Sequence, residues 1–293
     1  MKTDSIASYP CLPVELVEII ISDTWFLPLS KDERITFMTS ALLVNKAWQT
    51  LFFRLSFTHT HIPCASYLDK YLAMLCGVSP LFSEEIKSLP NSLCQSITLT
   101  IDHSPLEHQT EITHFSPQLI SNLFYFINAL EHVPNLRTLS IAYLNNTFDG
   151  TLETFYFNPL PKWITNLELS FEFPDSPPSL VEALRSRHKR IPGCVPWSLP
   201  SIRRLSIFGG TESLIADMVS ICPEMEILQM DLPISTAGRS YNELAISLES
   251  VTSVDISPKI SVVTLPSPET LRYGLWQGRL VIEEGGVRTF HAL

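Results

Sequence analysis

Apolar residues recur at two different periods along this chain of 293 residues, and the change of period marks its organisation. Near the start, Leu12, Leu16, Ile19 and Ile20 fall at i, i+4, i+7 and i+8, the spacing of one helix face. Pro13 suits the first turn of that helix, where its missing N–H would have had no partner anyway. Val44, Trp48, Leu51 and Phe52 repeat the helical spacing on a later segment. Ser66 to Cys76, closed by Gly77, reads as a further helix with a glycine cap that bridges the N-terminal helices to the rest of the chain.

From Cys94 onward the period shortens. Six segments share the form apolar-x-x-apolar-x-apolar, beginning at Cys94, Leu136, Ile164, Ile202, Met225 and Val251. Their last two apolar positions stand two apart and so share one face of a strand. Successive segments are offset by 42, 28, 38, 23 and 26 residues. Three of these offsets lie within the roughly 20–29-residue period of leucine-rich repeats, and the other two require insertions. Helix signals lie between most strands. Ser116-Pro117 opens a helix with a stripe of Leu119, Leu123, Ile127 and Leu130, and Leu214, Ile215, Met218 and Val219 form another, stopped by Pro223. Ser179-x-x-Glu182 and Ser240-x-x-Glu243 are capping-box patterns. Helix and strand in alternation predict an α/β fold with a parallel sheet. Arg279 to Glu283 reads as an added edge strand in a glycine-broken tail.

Composition narrows the function. Lys and Arg number 20 against 30 Asp and Glu, a net charge of −10 that argues against nucleic acid or an anionic membrane as the main partner. The one basic cluster, Arg185 to Arg190, is placed to stabilise a helix C-terminus. Six scattered cysteines without a Cys-x-x-Cys pair read as small buried hydrophobes in a reducing compartment. No signal-sequence pattern opens the chain, and the longest apolar segment, Leu119 to Leu130, is too short to cross a bilayer. The expectation is an intracellular, soluble protein of the cytoplasm and/or nucleus, with the sequon at Asn145 unused.

Catalytic patterns are missing: there is no Gly-x-Ser-x-Gly, phosphate-cradling glycine loop or His-Glu-x-x-His. His59 and His61 share a face if extended, but a structural metal usually takes four ligands, so paired surface or turn histidines are expected. Asp102, His103, His108 and His114 fall in a polar stretch with no identifiable nucleophile. Of the aromatic trios Phe124 to Phe126 and Phe155 to Phe157, some members of each must face the core. The reading is therefore non-enzymatic, without cofactor or metal.

The N-terminal pattern resembles an F-box. It has Leu12-Pro13 with Glu15 two residues on, the phrase Leu27-Pro-Leu-Ser-Lys-Asp-Glu-Arg34, and Val44-Asn-Lys46-Ala-Trp48, similar to a divergent type frequent in mushroom-forming fungi. Leu130 to Leu139 resembles the turn into a strand of F-box proteins with leucine-rich repeats. The resemblance implies a small helical cap over residues 1–60, a helical bridge over 61–93 and an irregular leucine-rich-repeat solenoid over 94–293. It implies a substrate receptor of a ubiquitin ligase, with Leu12, Pro13, Leu16, Ile20, Val44, Trp48 and Leu51 on a Skp-type adaptor and, through it, a cullin. An unidentified target protein would then lie on the open face of the strands. That face is expected to carry Thr98, Thr138, Ser140, Asn166, Glu168, Ser170, Arg204, Ser206, Gln229, Asp231, Ser253 and Asp255, with Ser140, Glu168, Arg204, Gln229, Asp231 and Asp255 as its main contacts. Two alternatives stay open: a repeat protein whose F-box has decayed and no longer reaches the adaptor, or an enzyme with a site in the loops.

Overall fold

The computed structural model describes residues 12–78, 86, 88–102, 117–145, 160–174, 181, 198–230, 253–256, 272–276, 279–284 and 287–292. The chain opens with helices α1 (Val14–Phe26), α2 (Lys31–Ala41) and α3 (Lys46–Thr58). A capping box starts α2: the Ser30 side chain accepts from the Glu33 backbone N–H, while the Glu33 carboxylate accepts from Ser30. Asn45 caps α3 by accepting from the Trp48 N–H at 2.9 Å. Ile21, Trp25, Ala41 and Phe52 form the core of this three-helix module.

Seven strands follow in one parallel sheet whose spatial order is the sequence order, β1 to β7, each bonded to its chain neighbours. They are β1 (His59–Ile62), β2 (Ser96–Asp102), β3 (Thr138–Leu144), β4 (Asn166–Glu172), β5 (Arg204–Phe208), β6 (Ile227–Met230) and β7 (Ser253–Ile256). The helices described between them are α4 (Ala65–Leu75), α5 (Leu89–Leu93), α6 (Pro117–Asn128) and α7 (Glu212–Ile221). The fold is thus α/β, a parallel sheet alternating with helices.

Register ties the six predicted segments together. Ile97, Leu139, Leu167, Leu205, Leu228 and Val254 stand side by side across the sheet, as do Leu99, Ile141, Leu169, Ile207, Met230 and Ile256. From β2 to β6 both rows are buried against α4, α6 and α7. The strand entrances repeat as well. The carbonyls of Thr58, Gln95, Arg137, Thr165 and Arg203 accept in turn from the N–H groups of Gln95, Arg137, Thr165, Arg203 and Glu226, at 2.8–3.0 Å.

That chain of bonds reveals a unit that the apolar pattern misses. Strand β1 pairs with β2, setting Thr60 beside Ile97 and Ile62 beside Leu99, and Phe57 takes the buried first position. The buried turn before each of β3 to β6 also extends the pattern by three residues. Leu136, Ile164, Ile202 and Met225 donate back to the carbonyls of Val133, Pro161, Leu199 and Cys222.

Three expectations are corrected. Leu130 lies beyond the end of α6 and is exposed; the buried stripe is Ile120, Leu123, Phe124 and Ile127. Residues 279–284 do not extend the parallel sheet but form the middle of a separate antiparallel one, β10–β9–β8, with β8 (Arg272–Trp276), β9 (Arg279–Glu284) and β10 (Val287–Ala292). Ser206, expected on the open face, is buried, because its short side chain lies between Glu168 and Gln229 in the same row. The capping boxes at Ser179 and Ser240, the basic cluster at Arg185 to Arg190, Phe155 to Phe157, and His103, His108 and His114 lie outside the described residues.

Candidate functional site

Two surfaces carry unusual chemistry. The first is the outer side of the three-helix module. Helix α1 is apolar on opposite sides: Val17, Ile21 and Trp25 face the module's core, whereas Leu12, Val14, Leu16, Ile19 and Ile20 are exposed. Helices α1 and α3 run side by side in the same sense. Glu18, Ile21 and Ser22 share a cleft with Leu51, Arg54 and Leu55, and Phe26 meets His59 at 5.1 Å. Leu43 (84% exposed) and Val44 therefore lie at the same end as Leu12 and Leu16. Of the seven residues expected to bind an adaptor, Leu12, Pro13, Leu16, Ile20 and Val44 are exposed. Trp48 and Leu51 are half-buried and pack on the module's own core. The Trp48 indole N–H is buried without a hydrogen-bond partner.

Rigidity behind that surface comes from Arg34 and Trp25, to which the sequence pattern assigned no bonding role. Arg34 is buried and donates to the carbonyls of Trp25 and Leu27, the second at 2.8 Å, with its guanidinium 5.4 Å from the centre of the Trp25 ring. It ties the end of α1 to α2. Trp25 in turn donates from its indole nitrogen to the His59 carbonyl at 2.9 Å, which fastens the module to edge strand β1. The only sequence sign was an arginine four positions after a helix-capping serine.

The second surface is the polar face of the sheet. Side chains alternate along β2, β3 and β4, apolar inward and polar half-exposed. Ser140 donates to Glu168 at 3.4 Å, Asn166 to Thr138 at 3.2 Å, and Ser206 to Gln229 at 3.4 Å. Glu168 and Gln229 are half-exposed, and Arg204 is exposed. Register sets Asp255 next to Gln229, while Asp231 lies outside the described residues.

His59 and His61 begin the same rows. The His59 ring is 2.9 Å from the Ser96 hydroxyl. The His61 ring packs against Trp25 at 5.0 Å. Burial, with the Arg34 charge and His59 adding to it, lowers the His61 pKa to about 3, so the ring is neutral at ordinary pH. Among the described residues no group of three His, Cys, Asp or Glu side chains could share a metal ion. Burial pushes the Cys94 thiol up to about 11 and that of Cys222 up to about 12, so neither offers a thiolate nucleophile near neutral pH. Asn145, the sequon asparagine, is buried at a backbone φ of 52°. No helix among the described residues is long and apolar enough to cross a membrane. No family model matches the chain, and no curated protein matches it.

Proposed function

We propose that the chain is an F-box-type substrate receptor: the three-helix module docks on a Skp-type adaptor, and the parallel sheet, as an irregular leucine-rich-repeat solenoid, holds a target protein. The observation that carries this reading is the distribution of exposed apolar side chains. Nine of the twelve large exposed hydrophobics among the described residues lie before residue 45. Exposed apolar side chains gathered on one module are what a protein interface covers. A helix apolar on opposite sides belongs between two packed layers, and the described residues supply only one. Leu12-Pro13 and Val44-x-Lys46-x-Trp48, the residues of the F-box resemblance, border that surface. Sequence-ordered parallel strands with apolar rows in register support the solenoid half of the reading.

The chain forms no bond in this role. It acts by proximity, raising the effective concentration of a bound target beside the ubiquitin-charged enzyme carried by the adaptor and cullin. Capture of a purified Skp-type adaptor by the full chain tests the docking half. The unaltered chain should retain the adaptor; Leu12→Ala with Pro13→Ala, or Leu16→Glu alone, should abolish capture while circular dichroism stays unchanged. Undiminished capture by both variants sinks the assignment.

A further inference from the structure

The module and the first unit of the sheet meet around a cavity of about 180 Å³. Trp25, Phe52, Phe53, Phe57, Ile62 and Met74 line its interior. An apolar void of about 150 Å³ holds a benzene ring, so this one accommodates a ring with a small substituent.

The polar groups on its wall fall into two sets. The hydroxyls of Thr39, Ser56, Thr60 and Tyr71 are engaged within the protein, on the Ile35 and Phe53 carbonyls and the Cys94 sulfur. The side chains of His61, Tyr67 and Lys70 hydrogen-bond to no other described residue. Each of these three offers hydrogen: an ammonium, a phenol and the N–H of a neutral imidazole. Lys70, exposed at the rim, sits over the Tyr67 ring at 5.3 Å. Burial pushes the Tyr67 pKa up, which keeps its phenol a donor. The Arg34 guanidinium behind Trp25 adds a positive field that reaches His61. Apolar walls with donors and positive charge, and no free carboxylate among the lining residues, select an apolar body with an anionic head.

We propose that this cavity is a binding site for a monocyclic aromatic carboxylic acid, its ring among Trp25, Phe52 and Phe57 and its carboxylate on Lys70, Tyr67 and His61. The site needs neither adaptor nor target, so its test is independent of the substrate-receptor reading. Isothermal titration of the full chain with benzoate should show one saturable site, roughly tenfold tighter than for benzyl alcohol, its neutral counterpart. Lys70→Met should weaken benzoate roughly tenfold and leave benzyl alcohol unchanged. Ser56→Leu, which fills the interior, should abolish both without lowering the unfolding temperature. Three results overturn the proposal: no saturation by benzoate, equal binding by acetate, which has no ring, or benzoate affinity that survives Lys70→Met. Lys70 is a surface residue, so that variant decides the matter even if Ser56→Leu does not fold.

Discussion

Buried polar groups in this protein act as fasteners between elements, and two of them can be tested singly. Arg34, itself buried, donates to two carbonyls at the α1–α2 junction. Replacing it with Met keeps volume but removes the donor on the Trp25 carbonyl, while the Leu27 carbonyl keeps the Leu29 N–H at 2.8 Å. The cost of such an orphaned group is roughly 1–3 kcal/mol, read as a lower urea midpoint at unchanged slope. The second is His61. Its native pKa of about 3 lies below the ordinary value of 6.5, so between those values the unfolded chain binds a proton that the folded chain refuses. Stability from this group is therefore complete above pH 6.5 and declines as pH falls, by about 1 kcal/mol per pH unit. His59 shifts the same way, also through burial. His61→Gln should flatten the decline in unfolding free energy between pH 6.5 and 4.5; an unchanged pH profile would show that His61 is not held neutral. Neither role was legible in the sequence, because an arginine or a histidine looks the same whether solvated or enclosed.

At the scale of elements, legibility followed apolar pattern. Six strands were found from apolar-x-x-apolar-x-apolar, and they align in the sheet at the positions the pattern marks. The seventh, β1, escaped because Thr60 replaces the central aliphatic residue and Phe57 belongs to the end of α3. Thr60 is tolerated in the buried row because its hydroxyl meets the Cys94 sulfur at 3.8 Å. Leu130 misled the helix stripe because periodicity continues past Asn128, where the chain has already turned. Turn geometry hides similarly in Gly209, which follows β5 at φ +70°. A Cβ there would stand 2.2 Å from the Phe171 carbonyl oxygen of neighbouring β4. Backbone cannot retreat as a flexible side chain would, and the left-handed conformation adds its own strain. Gly209→Ala should lower stability by roughly 2–4 kcal/mol, measured by chemical unfolding. An effect near zero would mean that β4 and β5 part easily. By contrast, Gly77→Ala meets no atom within 4 Å and should bear only the smaller penalty of its φ of +71°.

The whole molecule presents surfaces of opposite character, an apolar helical module and a polar sheet face, joined at β1 by the Trp25–His59 bond. Composition alone hinted at neither, since an overall 45% of apolar residues says nothing of where they are exposed. On the sheet, the open rows hold Glu168 and Gln229, with Asp255 at the register position beside Gln229, against a lone exposed cation among the described residues of β2 to β6, Arg204. Glu168 already accepts from Ser140, which orients its carboxylate along the row without neutralising it. In the substrate-receptor reading, a target with a modest basic patch is the natural complement, and charge there governs encounter rate and specificity more than total affinity. Reversing Glu168 and Asp255 to Lys, together with Asp231 outside the described residues, would reverse the charge of the row Glu168, Gln229, Asp255 while leaving both buried apolar rows intact. The triple variant should lose most target capture, with the association rate falling and its salt dependence changing sign. Adaptor capture should be untouched, because the apolar module lies on separate helices. A triple variant that binds target at the original rate would remove this face from the recognition surface and move the search to the connections between strands.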